Sequence, residues 1–191
     1  MVHGGVAAAV YWVAVSAWLL GELAFMRRTA AGDPEGRDRT TTLLTLTVLA
    51  GLGLGVWAAY ELPGLTLPGP GWWPLVAGLG LMAVAIAFRI WAMRTLGRYF
   101  KYVVMVQEDH EVVQSGPYRL VRHPSYTGMI GGCFGMGLAL GNWLSVVFAG
   151  GFALAGFTWR LLTEERELAE ALGQPYREYM TRTKRLIPGI W

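Results

Sequence analysis

Arg122-His123-Pro124 stands at the mouth of a long apolar run, with Tyr118 just before it and Tyr126 just inside it. Arg160, Glu164 and Glu165 close the same run further on, and His110 lies upstream. A proline in the first turn of a helix fixes the backbone there, so Arg122 and His123 would project from a rigid start. Arg160 and Glu164 are i and i+4 and share one helix face. Each residue also has a plainer reading. Arg122 could be a charge that sets topology, His123 an interfacial ring, and Arg160–Glu164 a helical ion pair worth roughly 0.3 kcal/mol. Taken together they point to a site. A carboxylate beside aromatic rings suits a cationic ligand, and an arginine suits an anionic one. A place for one cation and one anion at a membrane surface fits transfer from a cationic cofactor to an acidic lipid. One cysteine (Cys133) and three scattered histidines offer no zinc-ligand spacing. Neither a Gly-x-Ser-x-Gly elbow nor a phosphate loop is present. Gly51, Gly53 and Gly55 lie inside an apolar run with no strand before them, which argues against a dinucleotide loop.

Membrane helices must bring these residues together. Of 191 residues, 54% are hydrophobic and only 15% charged, against roughly 25% charged in an average globular chain; mean hydropathy is +0.39. Val2–Gly21, Thr40–Tyr60, Leu62–Phe88 and Pro124–Trp159 carry no Asp, Glu, Lys or Arg, and runs of about 20 such residues can span a bilayer. A soluble globule, a disulfide scaffold and a disordered chain are excluded. The expected fold is all-α: a polytopic membrane protein of five spans, with a cytosolic helical cap over a cofactor pocket. The first span covers Gly5–Met26; its arginines follow the apolar stretch, so it reads as an uncleaved helix and not a signal peptide. The second covers Thr42–Leu62, and the third runs from the Pro/Gly-rich Leu62–Pro74 segment to Met93, with Trp72 and Trp73 suited to an interfacial belt. Pro124–Trp159 is too long for one helix and contains the break signal Gly141-Asn142. It is expected to be a hairpin of Tyr126–Leu140 and Trp143–Leu162. The tight turn would force its two open ends together, clustering His123, Tyr126, Arg160 and Glu164 at one membrane boundary. Ionisable groups gathered there are a functional site by default. Gly128, Gly132 and the pair Gly137/Gly141 have the spacing of close helix packing. After the last span, Thr163 reads as the cap of a polar helix stopped by Gly173, with a further short helix after Pro175. The chain is expected to be one domain over 1–191, with the first three spans in 1–94 and the cofactor-binding, catalytic half in 95–191.

Charge sets an expected orientation. In a five-span arrangement, Arg27–Thr40, Arg94–Arg122 and the tail after Trp159 lie on one side, and 15 of the 16 Lys and Arg residues fall there or at the helix borders. The positive-inside rule makes that side cytosolic, with the N-terminus outside and the C-terminus and site inside. Arg89 is the exception, about a turn inside the third span, and is expected to snorkel to the cytosolic face. The net charge of +3 is what topology demands, and no basic stripe with interleaved exposed aromatics calls for nucleic acid. The expected partners are the bilayer and a lipophilic or prenylated acceptor, with no nucleic acid and no metal. Arg outnumbers Lys 14 to 2, the bias of a GC-rich bacterial genome, so the expected location is a bacterial cell membrane.

The wording Ser115-Gly116-Pro117-Tyr118…Arg122-His123-Pro124-Ser125-Tyr126…Gly128, followed by Glu164-Glu165…Leu168…Gly173…Tyr176, resembles the isoprenylcysteine carboxyl methyltransferase family, an integral-membrane group that uses S-adenosylmethionine and includes bacterial and archaeal relatives. The resemblance covers Leu96–Pro188. It implies a cytosol-facing cofactor pocket closed by the C-terminal helices, an acceptor that enters from the bilayer, and S-adenosylhomocysteine as the second product. Cofactor contacts would fall on His110, Val112, Val113, Tyr118, His123, Pro124, Ser125, Tyr126 and Glu164. Arg160 would be the substrate-side arginine, and Arg122 would position or polarise the acceptor's carboxylate, making these two the catalytic and substrate-binding residues. Met105 falls where the animal enzymes have a cofactor-binding glutamine, with Gln107 close by as the replacement. The extra N-terminal spans of the animal members are absent from this sequence. The implied reaction is in-line transfer of a methyl group to a carboxylate that is already ionised at neutral pH, so orientation and water exclusion matter more than a general base. The same fold acting on a phospholipid amine, a thiol or an isoprenoid acid is the nearest alternative; an amine or thiol would need His123 or Glu165 to take its proton. A sterol-type reductase that binds NADPH is a more distant one.

Overall fold

A computed structural model describes residues 5–30, 39–97 and 112–191. Among the described residues, six α-helices follow one another: α1 (Gly5–Ala30), α2 (Arg39–Glu61), α3 (Trp73–Leu96), α4 (Pro124–Ala139), α5 (Trp143–Ala171) and α6 (Gln174–Arg182). Short 3₁₀ turns occupy Pro63–Leu65 and Gly116–Arg119. Among the described residues, β pairing is confined to two isolated bridges, Thr66 with Asn142 and Val121 with Lys184. Four helices, α1, α2, α3 and α5, are long and apolar enough to cross a membrane. Their outward faces carry the apolar residues a bilayer would cover, including Val13, Leu46, Val84 and Val147.

α4 packs along α3 on one side and α5 on the other, and α2 packs along α5. Glycine makes the α3–α4 seam possible. A Cβ on Gly135 would lie 2.8 Å from the Gly78 carbonyl, and one on Gly128 would lie 2.8 Å from the Ala85 carbonyl, so two backbones meet where no larger side chain fits. Gly132 makes room for the Trp18 ring and Gly137 for the Ser145 backbone, in keeping with their packing role. Gly141 has a different job. At φ +72° it forms the hairpin turn, and Asn142 then caps α5 by accepting from the Leu144 and Ser145 amides at 2.9 and 3.3 Å. Its amide also donates to the Leu62 carbonyl at 2.9 Å, tying the hairpin to the end of α2. The hairpin therefore forms where the sequence breaks.

Two expectations change. Thr163 caps nothing, because α5 runs unbroken to Ala171 and the Thr163 hydroxyl donates back to the Trp159 carbonyl. No residue there interrupts the i→i−4 ladder, so the polar turns simply extend the apolar helix. Arg89 does not snorkel. It is only 3% exposed, because an acidic partner waits beside it inside the bundle.

Candidate active site

The hairpin brings the start of α4 against the last third of α5. Tyr126 donates its hydroxyl hydrogen to Glu164 Oε2 at 2.6 Å and accepts from Arg160 Nε at 3.0 Å. Arg160 and Glu164 thus share a phenol and are not a bare helical ion pair. Arg160 also donates to Thr41 Oγ1 at 2.8 Å, which brings the first turn of α2 to the same place. The His123 ring stacks on Tyr126 at 5.4 Å between centroids, and Tyr126 packs against Phe157. Of the four residues expected to cluster, all four do.

Glu164 and Glu165 point to different tasks. Glu165 is buried and accepts from Arg122 Nε at 2.7 Å and Arg185 Nε at 2.9 Å, with His123 Nε2 at 3.3 Å. Arg122 further donates to the carbonyls of Met180 and Thr183. The amides of Arg122 and His123 donate to the carbonyls of Lys184 and Arg185. This cluster fastens the chain after α6 across the entrance to α4. Tyr179 donates to the Tyr118 carbonyl at 2.7 Å, adding α6 to the clasp. Burial pushes the Tyr179 phenol up to about 12, and burial likewise raises Tyr118 and Tyr176, so all three remain neutral donors at physiological pH.

A cavity of about 460 Å³ runs through this region. Val112, Val113, Tyr118, Arg122, His123 and Glu164 line its polar part, together with Tyr176 and Tyr179 from α6. Ser125, Tyr126 and Arg160 follow, and beyond them the walls are apolar: Leu44, Val48, Leu52, Met129, Met136 and Phe157. From His123, which caps α4, to Met136 within it is thirteen residue steps, or roughly 20 Å at ~1.5 Å per residue. Pro124 is buried in the first turn of α4 and stays off the cavity wall. His110, Met105 and Gln107 lie outside the described residues.

Two charged wall residues were not among the expected site residues. Arg89 on α3 forks onto Glu22 of α1, its Nε on Oε1 and Nη2 on Oε2, both at 2.7 Å. Arg89 Nη1 reaches Ser125 Oγ and, at 3.3 Å, the Ser125 carbonyl. Two of the cavity-lining arginines therefore touch consecutive residues, Arg89 on Ser125 and Arg160 on Tyr126. The sequence held a signal for the pair: an acid and a base, each set inside an otherwise apolar run, are functional by default.

A family model for isoprenylcysteine carboxyl methyltransferases matches residues 78–170. Over those residues the chain matches that family. The match runs from within α3 to the last turn of α5, so it contains Arg89, Arg122 to Tyr126, Arg160, Glu164 and Glu165. Glu22, Thr41, Tyr176 and Tyr179 lie outside it. Among curated relatives, protein-S-isoprenylcysteine O-methyltransferase B of Arabidopsis thaliana is 30% identical over 121 residues, covering 62% of this chain and 61% of that protein. The Schizosaccharomyces pombe protein-S-isoprenylcysteine O-methyltransferase is 32% identical over 116 residues, 60% of this chain and 49% of that one. The matched region thus spans about half to three fifths of these relatives. The fold resembles that of a eukaryotic intramembrane Ras methyltransferase, an isoprenylcysteine carboxyl methyltransferase, with a TM-score of 0.70 and 22% identity over 96% of this chain and 67% of that one. As that coverage includes α1 and α2, the isoprenylcysteine carboxyl methyltransferase fold extends over helices on which the family model is silent.

Proposed function

We propose that this protein is an S-adenosylmethionine-dependent carboxyl methyltransferase that esterifies a lipophilic, prenylcysteine-like acid at the membrane–cytosol boundary. The observation that carries this reading is a single cavity, roughly 20 Å long beside α4, with a polar, aromatic end at Glu164 and an apolar end from Met129 to Met136, joined where Arg89 and Arg160 face the space. The polar end fits the cofactor. Its Glu164 carboxylate is partly exposed and sits among Tyr118, His123, Tyr176 and Tyr179, a donor set of negative charge and ring faces that suits a sulfonium cation and an adenine ring. When bound, the cofactor supplies an electrophilic methyl group on positively charged sulfur. Val112, Val113, His123, Ser125 and Tyr126 would complete its surroundings, with His110 nearby in the chain.

The protein's own residues do the rest. Arg89 and Arg160 hold and orient an acceptor carboxylate by charge-assisted hydrogen bonds. The acid is already ionised at neutral pH, so no residue need take a proton. Leu44, Val48, Met129 and Phe157 take the lipid chain and keep water from the reacting oxygen. Tyr126 couples the two ends, because its hydroxyl touches both Arg160 and Glu164. Arg122 holds Glu165 and the C-terminal segment, and through them the cap that α6 makes over the cofactor end. We further propose that α4 is the fifth span, a short one of 16 residues, with the N-terminus outside and the cavity's polar end cytosolic.

The test is titration of the detergent-purified protein with S-adenosylmethionine and S-adenosylhomocysteine beside NADPH, followed by methyl transfer to an N-acetylated S-prenylcysteine. Binding of both adenosyl compounds and ester formation are expected; binding of NADPH alone would overturn the reading.

A further inference from the structure

Glu22 presents a carboxylate to the cavity arginine in the geometry a substrate acid would use. Both oxygens lie in the Arg89 fork at 2.7 Å, and the Trp18 indole N–H steadies Oε1 at 3.3 Å. Arg89 and Glu22 both line the cavity, with side chains 4% and 20% exposed. Glu22 arrives on α1, which contacts the bundle mainly through α3 and scarcely meets α2, although both α1 and α2 wall the cavity. A guanidinium fork accepts one carboxylate edge-on, and a charged side chain in an apolar site cannot be left without a counter-charge. From these facts we infer that Glu22 is an internal stand-in for the acceptor's carboxylate and sets the selectivity for acids. The inference rests on the reading that the acceptor is a lipophilic acid.

An incoming acid exchanges with Glu22 on Arg89, so the arginine, 4% exposed, keeps a counter-charge throughout, while the released Glu22 side chain, 20% exposed, is the partner that water can solvate. A neutral lipid has nothing to offer the fork and leaves the pair closed. The methyl ester formed by the reaction is neutral too. It cannot hold Arg89 against Glu22, whose return to the fork favours product release. Glu22 is thereby a specificity-determining and positioning residue, not a catalytic one.

The experiment compares wild type with Glu22→Gln in equilibrium binding of an N-acetylated S-prenylcysteine acid and of its methyl ester, without cofactor. Gln keeps the shape and removes the competing charge, so the acid should bind about tenfold tighter or better, while the ester changes by less than about threefold. S-adenosylhomocysteine affinity reports that the fold is intact. Equal or weaker acid binding by a folded Glu22→Gln protein would overturn the inference. If Glu22→Gln does not fold, Glu22→Asp carries the test: its shorter reach loosens the two-point fork, so acid binding should tighten by a smaller factor, and no tightening overturns the proposal. Wild type that binds no acid at all would refute the acceptor reading itself, which separates the two failures.

Discussion

Adjacent glutamates give the sharpest test of the site. Glu165→Gln removes the charge that faces Arg122 at 2.7 Å and Arg185 at 2.9 Å. The Arg122 and Glu165 side chains are 6% and 5% exposed, so the loss leaves an uncompensated buried cation, at a cost of about 3–5 kcal/mol. Arg185 is 30% exposed and its pairing adds under ~1 kcal/mol. For a chain of this size each kcal/mol lowers Tm by roughly 2–4 °C, so Glu165→Gln should melt roughly 6–20 °C early. Glu164→Gln behaves differently. Its carboxylate is 26% exposed, water can replace its lost partner, and the stability change should stay under ~1 kcal/mol. The loss should instead appear in cofactor affinity, by about 10–100-fold, the worth of one hydrogen bond to a charged group at ~1.5–3 kcal/mol. The assay is thermal unfolding in detergent with a thiol-reactive dye, since Cys133 is the chain's one cysteine and is buried, alongside S-adenosylmethionine titration, because only the methylated cofactor carries the sulfonium charge that Glu164 would face. A Glu165→Gln protein as stable as wild type, or a Glu164→Gln protein with unchanged cofactor affinity, would refute the division of labour drawn from these contacts.

Other outcomes follow from the same geometry. Arg160→Ala should leave cofactor affinity nearly intact but raise KM or lower kcat for the acid acceptor by about 10-fold or more, and Arg160→Lys should rescue it poorly because a point charge lacks the planar fork; steady-state methyl transfer measures both, and full activity in Arg160→Ala would remove this arginine from the site. Gly135→Leu should prevent α3 and α4 from closing, seen as loss of folded protein on size exclusion, since even a Cβ would lie 2.8 Å from the Gly78 carbonyl. Tyr179, raised to about 12 by burial, stays neutral in the folded state while the unfolded phenol ionises near 10. Stability should therefore be full below pH ~10 and fall as pH rises toward about 12, and Tyr179→Phe should make that fall shallower, with Tyr118 and Tyr176, also raised by burial, supplying the remainder in melts recorded across it. Reporter fusions at Gly36, Gly69 and Trp191 should read inside, outside and inside; a cytosolic signal at Gly69 would refute the proposed orientation.

Much of this protein is local and therefore legible in one dimension. A charge-free run of 20 or more residues has few choices in a bilayer except a helix, which is why α1, α2, α3 and α5 fall where the uncharged stretches do. Gly141 and Asn142 carry turn and cap chemistry in their own backbone and side chain, so the hairpin follows from two residues. Once it is closed, antiparallel geometry brings His123 and Tyr126 to Arg160 and Glu164 without any further information. What tertiary structure decided were the partners reached across sequence distance. Glu164 and Glu165 are indistinguishable as neighbours in the chain; a helix turns about 100° per residue, which aims one at Tyr126 and the cavity and the other at Arg122 and the C-terminal segment. Arg89 reads as a snorkelling charge until Glu22, 67 positions earlier, is placed beside it. That meeting depends on α1 docking Trp18 against Gly132, a packing event that no local pattern encodes, because it is set by which helix surfaces fit together and not by the propensity of either segment.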